Sequence, residues 1–201
     1  MGMSGRETLK MCARAAAAVA VAPMLLSYYV RARLLGCDRA LEGSSQLLAF
    51  APGIPGQYLR RAFLSRVLAA CHPTVTIEFG TTFSKAGTRL DENVYVGPGC
   101  HLGLVHIERD VLLAPCVHVP SGGHTHGTSD LAIAIRDQPG ERRLVRIGAG
   151  AWIGTAAVVL ADVGRHTVVG AGAVVTRPLP DGVVASGVPA RAMRARHRAV
   201  S

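Results

Sequence analysis

Two histidines in a glycine-rich stretch, His124 and His126, are the residues best suited to catalysis in this chain. They lie in the sequence Ser-Gly-Gly-His-Thr-His at residues 121–126. An imidazole titrates near neutral pH, so either ring could take a proton from a hydroxyl group and later return it. The glycines could expose backbone N–H groups to a developing oxyanion. The alternative is that both are ordinary solvated loop histidines.

Three arginines near the end of the chain, Arg177, Arg191 and Arg194, could bind an anion. A guanidinium group makes charge-assisted hydrogen bonds to phosphate. The chain has a formal net charge of +9, from 22 Lys and Arg against 13 Asp and Glu, so it attracts anions in general. The alternatives are solvated arginines and a charge that serves only solubility. Aromatic residues make up only 4% and no basic stripe crosses the centre of the chain, which argues against a nucleic-acid partner.

Hexapeptide repeats are the elements that must position these side chains. From Ile147 to Thr176, each full block opens with an aliphatic residue, has Gly second and a small or β-branched residue fifth. A period of six fits neither an amphipathic helix nor an alternating strand and is typical of a β-helix. Each block is expected to form one side of a three-sided coil, with its opener inward and its glycine at a bend that needs unusual dihedrals. Such coils bury their faces only by stacking.

The repeats also extend upstream of the histidine loop. Aliphatic openers recur at Leu90, Val96, Leu102, Ile107, Leu113 and Val119. Ile77 and Phe83 predict a weaker first coil. The period breaks between Val119 and Ile147, where the histidines lie. A block at residues 159–162 is two residues short, which should pinch one corner without destroying the stack. The predicted fold is therefore all-β, a parallel β-helix preceded by N-terminal helical segments.

The N-terminal segment carries an uncharged run from Ala15 to Val30, split by Pro23 and flanked by basic residues. Sixteen residues fall short of the roughly 20 that a helix needs to span a bilayer. No small-residue cleavage site follows, so a secretory signal is not indicated. Two interpretations stay open: a helix embedded in or lying on a membrane, and an alanine-rich helix packed on the protein.

The segment that links this run to the repeats is predicted as a loop followed by a helix. Residues 40–56 contain two Pro and two Gly within five positions, which should exclude a helix there. Residues 58–70 have the pattern of an amphipathic helix, with Arg60 and Arg66 off its apolar face. We expect this helix to cap the open end of the β-helix, with contact to an anionic membrane as the alternative.

The chain accordingly divides into an N-terminal helical segment at residues 1–73, a repeat domain at 74–176 with its loop at 120–146, and a basic tail at 177–201. The five cysteines are scattered, odd in number and without a Cys-x-x-Cys pair. This pattern favours a reducing, cytoplasmic compartment over a disulfide framework. Cys100 occupies a small inward position of a repeat and is expected to be a buried space-filler.

The repeats, the histidine loop and the sequence Gly-Val-Pro-Ala-Arg at residues 187–191 together resemble the left-handed parallel β-helix acyltransferases. Within that superfamily, residues 74–195 are most similar to sugar O-acetyltransferases of the galactoside, nodulation and capsule or exopolysaccharide type. The resemblance implies left-handed coils and a homotrimer with active sites between adjacent prisms. It also implies acetyl-CoA as the donor, a hydroxyl group of a sugar or polysaccharide precursor as the acceptor, and no metal.

The same resemblance assigns roles to individual residues. It implies that a loop histidine is the general base, with His124 at the matching position and His126 as the second candidate. It implies cofactor contacts on the pantetheine arm at Ala114, Thr155 and Ala171, near the phosphates and adenine at Thr176 and Arg177, and near the nucleotide at Arg191 and Arg194. Membrane attachment through residues 1–35, at the cytoplasmic face of the inner membrane, would suit a lipid-linked or growing polysaccharide.

Some features depart from the family pattern or suit rival functions. Gly97-Pro98 stands where galactoside-type enzymes have an asparagine near the acceptor, so the acceptor stays open. His101 and His106 have the spacing of two metal ligands in γ-type carbonic anhydrases, and His72 is the only upstream histidine that could be the third. A non-catalytic β-helix scaffold is the other alternative. Trp152 is expected to be a packing or interface residue.

Overall fold

The computed structural model describes residues 5–196, which form four helices followed by a parallel β-solenoid. The helices are α1 (Gly5–Ala20), α2 (Ala22–Leu35), α3 (Cys37–Ala49) and α4 (Gly53–Val67). The strands are β1 (Ala70–Cys71), β2 (Thr76–Ile77), β3 (Thr82–Phe83), β4 (Arg89–Leu90), β5 (Tyr95–Val96), β6 (His101–Leu102), β7 (Val105–Ile107), β8 (Leu112–Leu113), β9 (His118–Val119), β10 (Val145–Ile147), β11 (Trp152–Ile153), β12 (Val158–Val159), β13 (Val168–Val169), β14 (Val174–Val175), β15 (Val183–Ser186) and β16 (Arg191–Ala195).

The strands stack into three sheets, one on each side of the prism. Sheet A has the order β1-β4-β7-β10, sheet B the order β2-β5-β8-β11-β13-β15-β16, and sheet C the order β3-β6-β9-β12-β14. Isolated parallel bridges from Ile147 to Val163 and from Val163 to Leu179 continue sheet A. Only β16 runs antiparallel to its neighbour among the paired strands described. The predicted parallel β-helix is thus confirmed, with about six coils.

The repeat openers form the core, as predicted. Ile77, Val96, Leu113 and Ile153 stack in register along sheet B, and each is fully buried. Phe83 begins the equivalent stack in sheet C, so the weaker first coil is also confirmed. Since one short strand has little surface of its own, this column of aliphatic contacts is what stabilises each coil.

One corner of the prism absorbs all the variation in repeat length. Inward positions are six residues apart from sheet A to sheet B and from sheet B to sheet C in every coil. From sheet C to the next sheet A they are seven, five, 28, four and four residues apart. The short block at 159–162 is therefore repeated in the next coil, at 175–178, and the stack continues through both. The variable corner is also where the histidine loop leaves the prism.

The second-position glycines serve a different purpose from the one expected. Gly97 and Gly154 do not adopt a positive φ; the positive-φ glycines Gly99, Gly150 and Gly172 lie two residues further along their blocks. A Cβ on Gly154 would come within 2.5 Å of the backbone of the next coil, and one on Gly97 within 2.7 Å. Glycine is required there because neighbouring coils approach too closely for a side chain.

The predicted loop at residues 40–56 is wrong, because most of it is helical. α3 continues to Ala49, and its serines bond to other elements: Ser44 Oγ accepts from Arg31 Nη2 of α2 at 2.7 Å, and Ser45 Oγ accepts from Phe83 N–H at 2.8 Å. α4 begins at Gly53, with Pro55 in its first turn, where a missing N–H costs nothing. Tertiary hydrogen bonds and the position of Pro55 in a first helical turn therefore outweigh the low helix propensity of this segment.

The assignment of Arg60 to a polar helix face is also wrong. α4 covers β1 and β2 at the open end of the solenoid, as the capping prediction required. Arg60 is only 1% exposed and points into that contact. Its Nε donates to Ile77 O at 2.9 Å, and its Nη1 donates to Leu48 O at 3.1 Å and to Ala51 O at 2.6 Å. The guanidinium thus satisfies carbonyl groups that no further strand covers.

The uncharged N-terminal run is divided between two helices. α1 and α2 meet at Val21 with a bend of 46°, two residues before Pro23. No single helix in the described chain is long and apolar enough to cross a membrane, although this bent pair meets the length and composition criteria together. α2 packs on α3 through one face, which buries Leu25 and Tyr28.

Candidate active site

The histidine loop, residues 120–144, is held at its base by paired backbone hydrogen bonds. Arg143 N–H donates to Ser121 O at 2.9 Å, and Glu141 N–H donates to His124 O at 2.7 Å. Ser121 is buried, and its Oγ accepts from Leu104 N–H at 2.8 Å. We call residues 120–126 the outgoing arm of the loop and residues 139–144 its returning arm. These contacts hold the two arms together and attach the outgoing arm to the preceding coil. The solenoid therefore fixes the position of the His124 backbone.

The outer part of the loop is organised by one glutamine. Gln138 is buried, and its Nε2 donates to Asp130 O at 2.6 Å and to Ile133 O at 2.8 Å. Its Oε1 accepts from Asp130 N–H at 3.2 Å. A short 3₁₀ turn, Ile135–Asp137, precedes it. A single buried amide thus substitutes for the strand pairing that this segment lacks.

A cavity of about 380 Å³ opens between the loop and the variable corner of the fourth and fifth coils. Its lining residues are Gly122, Gly123, His124, Glu141, Arg143, Leu160, Ala161, Thr176, Arg177 and Pro178. Three of the nine site residues predicted from the sequence, His124, Thr176 and Arg177, therefore line one space. Between residues 5 and 196, no group hydrogen-bonds the ring of His124 or accepts from the N–H groups of Gly122 and Gly123.

Glu141 and Arg143 are site residues that the sequence analysis did not single out. They lie on the returning arm, and Arg143 forms an ion pair of 2.5 Å with Asp162. Asp162 also accepts from Arg146 N–H at 3.0 Å, which locks the corner that forms the cavity floor. The returning arm has no repeat pattern, so only its pairing with Ser121 and His124 reveals that it belongs to the site.

His126 lies outside the residues that line this cavity, although it is also exposed. A Cβ on Gly140 would lie 2.5 Å from His126 N, so the two arms of the loop touch at that point. The fold therefore directs the two candidate bases into different surroundings, and only His124 shares its space with Thr176 and Arg177.

The three predicted pantetheine contacts form a column along the corner between sheets B and C. Gly172 N–H donates to Thr155 O at 2.8 Å, and Ala156 N–H donates to Pro115 O at 2.9 Å, which link the blocks of Ala114, Thr155 and Ala171. Ala114 is buried, whereas Thr155 and Ala171 are exposed. None of the three lines the His124 cavity.

The two predicted tail contacts, Arg191 and Arg194, lie on β16 at the edge of sheet B. They pair in register with Ser186 and Val184 of β15, and both side chains are exposed. Their only described hydrogen bonds go to the neighbouring carbonyl groups of Ala190 and Ala195. Among the residues of the described chain, neither forms an ion pair, so both charges are available to a ligand.

The histidines of the metalloenzyme alternative are dispersed. His101, on sheet C, is hydrogen-bonded to Thr82 Oγ1 at 2.7 Å, whereas His106, on sheet A, contacts Asp91 at 3.0 Å. Throughout residues 5–196, no three His, Cys, Asp or Glu side chains are grouped so as to hold a metal ion. The spacing of His101 and His106 is therefore a consequence of the coil period.

Curated relatives of this chain are acetyltransferases. WbbJ from Escherichia coli (strain K12), named as a lipopolysaccharide biosynthesis O-acetyl transferase, is 33% identical over 142 residues, which cover 59% of this chain and 71% of that protein. The galactoside O-acetyltransferase of the same strain is 25% identical over 163 residues, which cover 71% of this chain and 80% of that protein. No family model matches the chain.

The fold has a counterpart among solved structures. A galactoside acetyltransferase in complex with coenzyme A superposes with a TM-score of 0.57 at 22% identity, over 80% of this chain and 81% of that chain, and shares the β-helix. The identity to WbbJ extends over more than two thirds of that protein. With its six-coil prism and inserted loop, the chain belongs to the left-handed β-helix, hexapeptide-repeat family of acetyl-CoA-dependent O-acyltransferases.

Proposed function

We propose that this protein transfers an acetyl group from acetyl-CoA to a hydroxyl group of a sugar or polysaccharide precursor, with His124 as the general base. The observation that carries the proposal is the cavity in which the unbonded His124 ring meets Thr176 and Arg177. The family supplies the donor, and the curated relatives, which are named for galactoside and lipopolysaccharide chemistry, support a sugar-type acceptor.

The proposed reaction is a direct transfer. A ring nitrogen of His124 takes the proton of the acceptor hydroxyl while its oxygen attacks the thioester carbonyl carbon. The resulting oxyanion accepts hydrogen bonds from the free N–H groups of Gly122 and Gly123. The C–S bond then breaks, and the imidazolium returns its proton to the thiolate, which yields the O-acetyl sugar and free CoA.

The remaining predicted contacts support a donor that lies along the prism. Ala114, Thr155 and Ala171 have small side chains at the same corner, and the two exposed ones, Thr155 and Ala171, leave room for the pantetheine arm. Arg177 lines the His124 cavity, and Arg191 and Arg194 lie on β16 without an ion pair among the described residues. Charge-assisted bonds from these groups to the CoA phosphates would hold the nucleotide end.

The proposed assembly is a homotrimer that packs through sheet B. Its outer face carries Tyr95, Leu112, Trp152 and Val168 as neighbours in register. Leu112 is 43% and Trp152 50% exposed, and both lie at the centre of this row, which crosses four successive coils. A row of this kind is a suitable contact for a second copy of the chain, and the family resemblance implies three copies.

The proposed location is the cytoplasmic face of a membrane, with α2 lying in the interfacial region. One side of α2 exposes Leu26, Val30 and Leu34, at 69%, 54% and 77%, one helical turn apart. Between residues 5 and 50 there are six basic and three acidic side chains, which favours an anionic leaflet. All five cysteines are free, which fits a reducing compartment.

The test of the base is His124→Ala, assayed by thiol release from acetyl-CoA with sugar acceptors. A general base contributes about 10²–10⁴-fold in rate, so we expect at least a hundredfold loss of kcat. CoA affinity and thermal stability should be unchanged, because the ring has no partner in the described chain. The matched control is His126→Ala, which should keep most activity. Retention of more than a tenth of wild-type turnover by His124→Ala, with a loss in His126→Ala, would transfer the role to His126.

A further inference from the structure

A second polar cavity lies on the other side of the loop base. It measures about 390 Å³ and separates α3 from the outer face of sheet C in the first three coils. Glu42 and Gln46 of α3 form one wall, and Thr82, His101 and His118 of sheet C form the other. We refer to this space as the α3 cleft. Its polar walls contrast with the apolar residues that a helix usually presents to a sheet.

The sheet wall of the α3 cleft is a row of hydrogen-bonding side chains. Thr82, His101 and His118 are neighbours in register, so they recur at the strand spacing of about 4.8 Å. The two imidazole rings are stacked, with centroids 5.0 Å apart and planes inclined by 27°. In the next two coils the same face carries Val158 and Val174. The polar row therefore ends at the histidine loop.

Several polar groups of the α3 cleft have no hydrogen-bond partner among the described residues. No other group in residues 5–196 hydrogen-bonds the His118 ring, the Glu42 carboxylate or the Gln46 amide. Desolvation, followed by the charge of nearby His101, lowers the pKa of His118, so its ring is neutral at neutral pH and offers one donor and one acceptor. Two imidazole rings, an amide, a hydroxyl and one carboxylate match the hydroxyl groups of an uncharged sugar, and the carboxylate disfavours an anion.

The α3 cleft adjoins the candidate active site through the loop base. Val119 and Pro120 line the cleft. Gly122, Gly123 and His124, which follow after one intervening residue, line the cavity with Thr176 and Arg177. On the basis of the proposed function, we propose that the α3 cleft binds the acceptor as an uncharged, polyhydroxylated saccharide. His101, His118 and Glu42 then hold its hydroxyl groups, and the reactive hydroxyl passes Pro120 to reach His124.

This assignment explains how the chain could manage without an acceptor-side asparagine. Gly97 and Pro98 carry no side-chain donor, and the polar side chains of sheet C in the cleft could supply the contact instead. The cleft adjoins the histidine loop through Val119 and Pro120, whereas Arg177 lines the other cavity together with His124. In this proposal the acceptor and the donor reach His124 from these two cavities.

The test is the steady-state kinetics of His101→Ala, His118→Ala and Glu42→Gln, with p-nitrophenyl galactoside, glucoside and mannoside as acceptors. Each variant should raise the KM for the preferred glycoside about three- to tenfold, because each loses one or two hydrogen bonds to the sugar. CoA affinity and kcat should stay within about twofold. His118→Gln, which keeps a donor and an acceptor, should recover part of the loss. The matched control is His72→Ala, an exposed histidine outside the cleft.

The outcomes separate the two proposals. An unchanged KM for every glycoside in both histidine variants would overturn the acceptor assignment and leave the proposed function intact. If the wild-type protein releases no thiol with any of the three, the proposed function fails. The cleft is then tested by saturation-transfer NMR with the same glycosides. Signals that His118→Ala abolishes would support the cleft, and signals that are absent or insensitive to the variant would overturn it.

Discussion

Arg191 and Arg194 form no ion pair with any of the described residues, 5–196. Arg143 and Arg146 contact acidic side chains, and Arg60 donates to buried carbonyl groups. The described side-chain hydrogen bonds of the tail arginines go only to the carbonyl groups of the adjacent residues Ala190 and Ala195. A side chain without an internal ion pair loses nothing when it turns to a phosphate, so these two positions should contribute directly to CoA affinity.

The double variant Arg191→Ala, Arg194→Ala should therefore bind CoA at least about tenfold more weakly. A charge-assisted hydrogen bond contributes about 1.5–3 kcal/mol, and solvent screening reduces this at exposed sites. Calorimetry at low and high salt measures the effect, and the salt dependence should be smaller in the variant. Arg136→Ala, in the outer part of the loop, is the control. Equal affinity in the wild type and the double variant would move the nucleotide site elsewhere.

At the residue scale, the repeat period predicted which side chains face inward but not which loop residues meet. Val96 and Ile153 are buried because the period of six places the first residue of every block on the inner side of the coil. His124, Thr176 and Arg177 were predicted as site residues only through the family resemblance, because they share no repeat position. The repeat pattern could not predict Glu141, because this residue is held at the site by one backbone hydrogen bond to His124, and such a bond leaves no periodic pattern in the sequence.

At the scale of elements, the N-terminal helices act as the missing strand pairs of the first coil. β2 and β3 have no strand on their outer side. Arg60 covers the carbonyl group of Ile77, and Ser45 of α3 covers the N–H of Phe83. An uncovered edge would recruit another chain, so these contacts protect the fold against aggregation as well as stabilising it.

Replacing Arg60 by Met should lower the free energy of unfolding by about 3–5 kcal/mol, because three buried carbonyl groups lose a charged donor. For a chain of this length, that corresponds to a fall in Tm of roughly 6–15 °C. Thermal unfolding followed by circular dichroism measures the change. Arg66→Met is the matched control, since Arg66 is exposed and bonds only within its own helix. A shift of less than about 3 °C in Arg60→Met would show that the edge is stabilised by other contacts.

The same edge explains why composition misled the sequence analysis at residues 40–56. Gly and Ser are poor helix formers, and the handicap is a few tenths to 1 kcal/mol per residue. In α3, Ser45 forms a buried hydrogen bond to the backbone of β3. A Cβ atom placed on Gly43 would lie 3.6 Å from Arg31 Nη1, so α2 packs closely against this glycine. Both contacts are long-range, so no window of neighbouring residues contains them.

At the scale of the whole molecule, the exposed row on sheet B should decide the oligomeric state. Trp152→Glu places a charge at the centre of that row, where burial against a second copy would be costly. We expect light scattering after size exclusion to report three chain masses for the wild type and one for the variant. Leu131→Glu, a fully exposed loop position, is the control. A trimeric variant, or a monomeric wild type, would contradict the proposed interface.

The exposed side of α2 should decide whether the protein reaches a membrane. The triple variant Leu26→Glu, Val30→Glu, Leu34→Glu leaves the buried Leu25 and Tyr28 untouched, so the helix bundle should stay folded. Each charged replacement removes apolar contact with the leaflet and adds repulsion from anionic lipid, at about 1 kcal/mol per charge. We expect the wild type to sediment with vesicles of anionic lipid, and to do so less in high salt, whereas the variant stays in the supernatant. Leu131→Glu with Ile135→Glu, two exposed loop positions, is the control and should sediment like the wild type. If wild type and triple variant sediment equally, α2 is a packing helix, and a lipid-linked acceptor loses its main support.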